Sequence, residues 1–330
     1  MVMTIKELKE SIARKEFKSL YLFCGEEAFL VKTYVDSVKA SALADNVREF
    51  NLFEFDGSIT VEEISGAIDS YPQMSEKKVV VIRNSGLIKA VSRPVKELLE
   101  DIPDYAIVIF VEESMTKVSK PLAKIFEERG AIVEFNKQQP KDLCVWANQI
   151  LAKAGKRATE SSLKYLVDIC GGDMVRLSNE LDKLIAACKD REEVSEKVIR
   201  ALVSVPVEYK MYEIVDKLLN RKAEEVYGMI AEFKVNKEYP TVIISAIFSQ
   251  VFLLVMVKEL AAEKHPKLDE FFPANRRWLA KKMITGYRDW EVDELKDLLD
   301  MCVDYDYKIK SGEIDMWVAL EIIVARMLAG

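Results

Sequence analysis

With 330 residues, half of them hydrophobic and nearly a third charged in both signs, the chain has material for two or three full-sized cores and an ordinary globular composition. Its formal net charge of -7 excludes a protein that works mainly by coating nucleic acid, although a local basic patch could still touch it. Five scattered cysteines (Cys24, Cys144, Cys170, Cys188, Cys302) without a C-x-x-C pair fit a reducing cytoplasm, and the single histidine, His265, excludes most histidine-based metal or triad chemistry.

The opening MVMTIKELKES is polar and amphipathic, with no apolar signal core. Residues 19–33, SLYLFCGEEAFLVKT, follow as an apolar run ending at Gly25 and a helical pattern directly after it. A nucleotide-binding α/β domain cradles phosphates at such a junction, using G-x-x-x-x-G-K-[ST] so that bare backbone N–H groups and one Lys wrap the oxygens. Lys32-Thr33 supply the last two letters, but the glycine positions then hold Glu26 and Val31. A carboxylate about 4 Å from a phosphate at an effective dielectric near 20 costs about 4 kcal/mol. Glu26 and Glu27 also occupy the helix N-terminus that would otherwise welcome an anion. The shape of a nucleotide fold is present without its chemistry.

Short Val/Ile/Phe-rich runs predict strands at 20–24, 50–55, 78–83, 106–111 and 131–135, the pattern of a parallel sheet covered on both faces. Helical spacing fills 27–44, 61–71, 91–99 and 120–130 between them, giving an open α/β layer domain. After Gln138-Gln139-Pro140 no further strand is expected. Residues 143–154, 161–170, 173–188 and 195–202 read as a small helical bundle, with Asp173 as an N-cap after Gly171-Gly172. Beyond Val205-Pro206-Val207 the helices continue at 212–219, 223–233, 241–262, 278–285, 292–309 and 315–328. The helix at 292–309 carries Leu295, Leu298, Leu299, Cys302 and Ile309 on one face and stops before Gly312. The longest apolar run, 242–257, is broken by Ser245, Ser249 and Gln250 and is short for a membrane span, so a buried helix and no membrane are expected.

Catalytic candidates are sparse. YAIVIFVEE (105–113) resembles a Walker B strand, but Glu112 and Glu113 lack a phosphate loop to work with. The third strand ends in Arg83-Asn84, where the Walker acid belongs. A buried strand with a solvated acidic end accounts for the segment. His265 sits in a polar break beside Pro266, and Cys170 reads as a small buried hydrophobe. In 59–78, Thr60 and Glu63 make a capping box inside an Ile59–Ile64 staple, and Val61, Ile64, Ala67, Ile68 and Tyr71 form one apolar stripe. Pro72 then breaks the helix and leaves Gln73-Met74 on a tip with no core to fill. Such a Met is either incidental or an anchor for a partner's apolar pocket, where its burial yields roughly 1.5–3 kcal/mol, enough for a hot spot. NRRWLAKK (275–282) sets Arg276, Arg277, Lys281 and Lys282 around Trp278, which fits either nucleic-acid backbone or a solvated helix with a half-buried Trp. GGDMVRLSNELDKL (171–184) reads as helix packing rather than a DNA-reading helix-turn-helix.

Four stretches converge on one family: YLFCGEEAFLVKTY (21–34), PQMSEKKVVVI (72–82), GGDMVRLSNELDKL, and DYDYKIKSGEIDMWVALE (304–321), the last with its Asp-x-x-Ile-Lys-x-Gly pattern. Over essentially its whole length the chain resembles the delta-subunit family of the bacterial DNA polymerase III clamp loader. The resemblance implies an α/β plus all-α, AAA+-like architecture. This comprises an open parallel sheet domain with a degenerate nucleotide site (1–140), a small helical lid domain (141–207) and a C-terminal helical collar domain (208–330). It further implies no ATP hydrolysis, no catalytic residue, cofactor or metal, and membership of a nucleotidyltransferase holoenzyme. The partners implied are the beta sliding clamp, whose ring such a protein opens, the gamma or tau and delta prime subunits, and primed template DNA. The family's clamp-binding apolar pair, commonly Leu-Phe or Phe-Phe before the third strand, falls on Gln73 and Met74, with Tyr71 and Pro72 beside it. Two other readings stand next to this one: an NTPase with an atypical phosphate loop, and a scaffold that binds nucleic acid through 275–282.

Overall fold

The computed structural model describes residues 2–263, 283 and 285–329. Two compact units emerge, Met1–Gln138 and Gln139–Gly330.

The first unit opens with α1 (Ile5–Arg14), formed by the amphipathic start of the chain, whose Thr4–Glu7 capping box closes its N-terminus. Five strands follow: β1 (Leu20–Cys24), β2 (Leu52–Asp56), β3 (Lys78–Arg83), β4 (Ala106–Glu112) and β5 (Ala131–Glu134). They form one parallel sheet in the order β2-β3-β4-β1-β5. Parallel strands need crossovers, and α2 (Ala28–Ala42), α4 (Val61–Asp69), α5 (Arg93–Glu100) and α6 (Lys120–Arg129) supply them. Alternate residues of the central strands (Leu20, Leu22, Val80, Ile82, Val108, Phe110) pack under Ile64, Ile68, Leu99, Leu122 and Phe126 on one face. On β1 the intervening Tyr21 and Phe23 are buried as well, so this strand is covered on both sides, as its unbroken apolar run predicts. The strand expected at 50–55 begins at Leu52 instead, because Arg48–Asn51 closes a helical turn (α3) in which the Asn51 amide donates to Val47 O at 2.8 Å.

The second unit is built from α7 (Pro140–Lys153), α8 (Glu160–Ile169), α9 (Met174–Ala187), α10 (Glu196–Leu202), α11 (Val207–Leu219), α12 (Ala223–Val235), α13 (Pro240–Ala262), α14 (Val292–Lys310) and α15 (Met316–Ala329). Gly171 and Gly172 both take positive φ in the turn between α8 and α9, and Asp173 caps α9 by accepting from the Arg176 N–H at 3.0 Å. From residue 211 onward one core runs through Ile214, Val226, Ile247, Val251, Leu295 and Ile323. By length and composition alone α13 could cross a membrane. In this fold it is the core helix of the bundle, with Ile243, Ile247, Val251 and Leu254 fully enclosed. At the end of α14 Gly312, at φ 77°, and the N–H of Glu313 close on Ile309 O and Lys308 O, which explains the Gly of the Asp-x-x-Ile-Lys-x-Gly pattern as a helix stop.

Candidate functional site

At the bend after β1, Gly25 takes φ 133°, and a Cβ there would lie 2.3 Å from Phe135 O. The chain leaving β5 therefore fills the space over the bend. Phe135 N–H donates to Cys24 O at 2.7 Å and Glu27 N–H donates to Phe135 O at 2.9 Å, so backbone groups of the kind a phosphate would use are already bonded. Glu27 is buried at the N-cap of α2, and its carboxylate makes no capping bond to the helix. It turns to Lys137, whose Nζ donates to it at 3.2 Å, because a buried carboxylate needs a partner cation more than it needs a weak helix dipole. Lys32 and Thr33 are the fifth and sixth residues of α2; Lys32 points outward and the Thr33 hydroxyl donates to Phe29 O at 2.8 Å. These residues do not fit a nucleotide's phosphates.

The neighbouring strand ends carry no alternative chemistry. Glu113 is solvated and paired with Lys117, which holds its carboxyl below the usual range. Glu112 departs from the expected solvated end: it is buried in register with Cys24, and desolvation raises its carboxyl, with Lys89 and Lys117 opposing. Arg83 donates to Glu54 at 2.9 Å. Burial pushes the thiols of Cys24 and Cys170 up to about 12 and that of Cys302 to about 11, so they stay protonated and unreactive at neutral pH. Among the described residues no group of three His, Cys, Asp or Glu side chains is placed to hold a metal.

The loop between α4 and β3 is different in kind. Thr60 and Glu63 bond reciprocally at the start of α4, and Ile64, Ala67 and Ile68 bury its inner face. The helix ends at Asp69, two residues short of the predicted 71, and Tyr71 leaves the apolar stripe to stand 80% exposed. Pro72 marks the break, and Lys78 secures the end. Its buried ammonium donates to Ala67 O, Ser70 O and Ser70 Oγ, satisfying carbonyls that a longer helix would have claimed. Burial pushes this ammonium below the usual lysine range, with Asp69 opposing, and the Phe53 ring lies 4.9 Å from it. The Tyr105 ring lies against that of Tyr71, tilted by 33° with centroids 5.0 Å apart, and its hydroxyl donates to Asp69 O at 3.1 Å.

Beyond Pro72, the side chain of Asn51 grips the backbone of Gln73. Met74 then adopts φ 54° and stands 86% exposed. Tyr71, Pro72, Gln73 and Met74 thus form one contiguous tip, with Pro72 half-buried, the Gln73 side chain exposed and two apolar side chains presented to solvent. The residues that brace it, Asn51, Lys78 and Tyr105, are ones the sequence does not single out. The traces they leave there are a lysine heading the otherwise apolar strand VVVI and an asparagine wedged between Phe50 and Leu52. Arg276, Arg277, Lys281 and Lys282 lie outside the described residues.

Two family models match: DNA polymerase III, delta subunit, over residues 21–136, and the C-terminal domain of the DNA polymerase III delta subunit, over residues 208–327. The chain is 21% identical to DNA polymerase III subunit delta of Bacillus subtilis (strain 168), covering 97% of this chain and 95% of that protein. It is 22% identical to the probable DNA polymerase III subunit delta of Aquifex aeolicus (strain VF5), covering 91% and 88% respectively. The solved structure of the Bacillus subtilis DNA clamp loader delta protein (YqeN) superposes with a TM-score of 0.66 at 19% identity over 98% of this chain and 99% of that one, a likeness of fold. With both models falling on the segments that carry the sheet and the C-terminal bundle, the chain belongs to the DNA polymerase III delta-subunit family.

Proposed function

We propose that this chain is the delta subunit of a clamp loader, a cytoplasmic component without catalysis of its own that docks on the beta sliding clamp and opens its ring for loading onto primed DNA. The observation that carries the reading is Met74, an apolar side chain held out on a braced tip at the end of α4. Burying it in a pocket on the ring contributes roughly 1.5–3 kcal/mol, with Tyr71 and Pro72 beside it. That energy opens a ring interface only to the extent that the tip binds the open form more tightly than the closed one.

The Glu27–Lys137 pair at the phosphate bend supports a protein that leaves ATP hydrolysis to gamma or tau and delta prime partners. Three segments divide the labour: 1–140 for the clamp, 141–207 as lid, and 208–330 as the collar that meets neighbouring subunits. The self-contained core from residue 211 onward supports the last division. Purified protein should bind the clamp, and Met74→Asp should abolish binding. Undiminished binding by that variant removes Met74 from the mechanism.

A further inference from the structure

We infer that Asn51 is a positioning residue for the docking tip: it acts through the backbone of Gln73 to fix the left-handed conformation in which Met74 is presented. The inference rests on the docking role proposed above.

Asn51 is fully buried where α3 meets β2, and its amide is spent on three bonds. Nδ2 donates to Val47 O at 2.8 Å and to Gln73 O at 2.7 Å, while Oδ1 accepts from Gln73 N–H at 2.8 Å. Both donor hydrogens are used, and both polar groups of the Gln73 backbone are held by one side chain. Such a two-point grip fixes the orientation of a backbone unit as well as its distance, much as a neighbouring strand would. Gln73 presents an exposed side chain, so its own packing does not hold it in place.

The next residue is where this matters. Met74 sits at φ 54°, a region that a long unbranched side chain rarely adopts, and it has almost no contacts to hold it there. An unfavourable conformation at an exposed residue persists only when its flanks over-determine it, and such residues concentrate at sites of binding. One flank is Asn51 on Gln73. The other is Lys78, which heads β3 and ties off the end of α4. Because Asn51 ends α3 directly before β2 and the tip lies in the loop before β3, the grip ties two adjacent parallel strands together at their entry ends.

Amide hydrogen exchange on the full chain, together with binding to the purified ring-shaped clamp, tests this for wild type, Asn51→Ser, Asn51→Asp and Met74→Asp. In the wild type the Gln73 amide should exchange at least about ten-fold slower than an unprotected peptide; free exchange there overturns the grip without recourse to any variant. In Asn51→Ser the Gln73 amide should lose that protection while amides of β1 and β4 keep theirs; Asn51→Asp, which keeps the accepting oxygen but cannot donate to Val47 O or Gln73 O, should lose less of it; and clamp affinity should fall about ten-fold in both. A merely structural asparagine would instead lower protection across the sheet and leave clamp affinity per folded molecule intact, which also overturns the role. Loss of binding in Met74→Asp with wild-type binding in both Asn51 variants defeats the inference and spares the docking reading. Binding by Met74→Asp equal to wild type defeats the docking reading and this role with it.

Discussion

The Lys78 ammonium, buried at the head of the third strand, donates to both the carbonyl and the hydroxyl of Ser70 at the end of the helix before it. A charged group is thereby placed where a helix leaves carbonyls unbonded and where its dipole is negative. The same contact secures the end of a helix that Pro72 breaks, and the tip that bears Met74 starts from there.

Replacing Lys78 by Met should therefore cost more than an ordinary surface lysine does. The variant keeps the stem's volume but strands Ser70 O and leaves Ala67 O only the Ser70 hydroxyl as a side-chain donor, and hydrogen bonds from a charged donor contribute about 1.5–3 kcal/mol. A loss of about 2–3 kcal/mol in urea denaturation is expected, with weaker clamp binding in the fraction that stays folded. A loss under about 0.5 kcal/mol would place Lys78 among neutral surface positions.

The bend after β1 makes a second prediction. Glu27 is buried and Lys137 is half-exposed, so Lys137→Ala leaves a carboxylate without its cation. Stability should drop by about 1–2 kcal/mol, while Glu27→Gln, which removes the charge but keeps an acceptor, should cost less. Calorimetric titration of the wild type with magnesium-ATP should give no binding heat, since Phe135 O already occupies the Glu27 N–H. Measurable ATP affinity would favour an NTPase with an unusual loop.

Much of this is legible in the chain itself. The Val/Ile/Phe runs mark all five strands, and the acids at Glu26 and Glu27 mark the bend as unfit for phosphate, because both signals are local. What stays hidden depends on contacts between segments far apart in sequence. Tyr71 continues the apolar spacing of α4 and so reads as part of its inner face; Pro72 marks the break, but the hold that Lys78, reaching back from the next strand, takes on the helix end while Tyr71 stands exposed is not written in the segment. Glu112 reads as a solvated strand end because nothing in its own segment reveals that β1 places Cys24 beside it. Asn51 sits 22 residues from the backbone it holds, and no periodicity encodes such a pairing.

Glu112 gives a pH-dependent prediction. Its carboxyl is raised from 4.5 by burial, so the folded state binds the proton more tightly than the unfolded state does. The stabilisation from protonation is fully present below the unfolded value and is lost as pH rises through the raised folded value. Above that raised value the group is ionised and poorly solvated, and Glu112→Gln should be more stable than wild type there. The difference should shrink as pH falls through the raised folded value towards 4.5 and stay level below it. Urea midpoints of both proteins at about pH 7 and about pH 4 read the effect, and a gap that widens on acidification would contradict the burial of this carboxyl.

Met74 itself should separate stability from binding. A side chain at φ 54° costs about 1–2 kcal/mol relative to the right-handed conformation, whereas glycine adopts that angle freely at an entropic cost of about 0.5–1 kcal/mol. Met74→Gly should therefore fold as well as wild type or better by up to about 1 kcal/mol, since the exposed side chain contributes little packing to lose. Clamp affinity should move the other way. Losing a buried anchor of roughly 1.5–3 kcal/mol corresponds to a drop of about ten- to a hundred-fold. Met74→Leu, apolar and of similar size, should keep most of the affinity while leaving the strain in place. Thermal denaturation alongside clamp titration of the three proteins decides the matter. If Met74→Gly loses stability and affinity together, the tip is a packing element; if it gains the first and loses the second, the conformation is maintained for the sake of a partner.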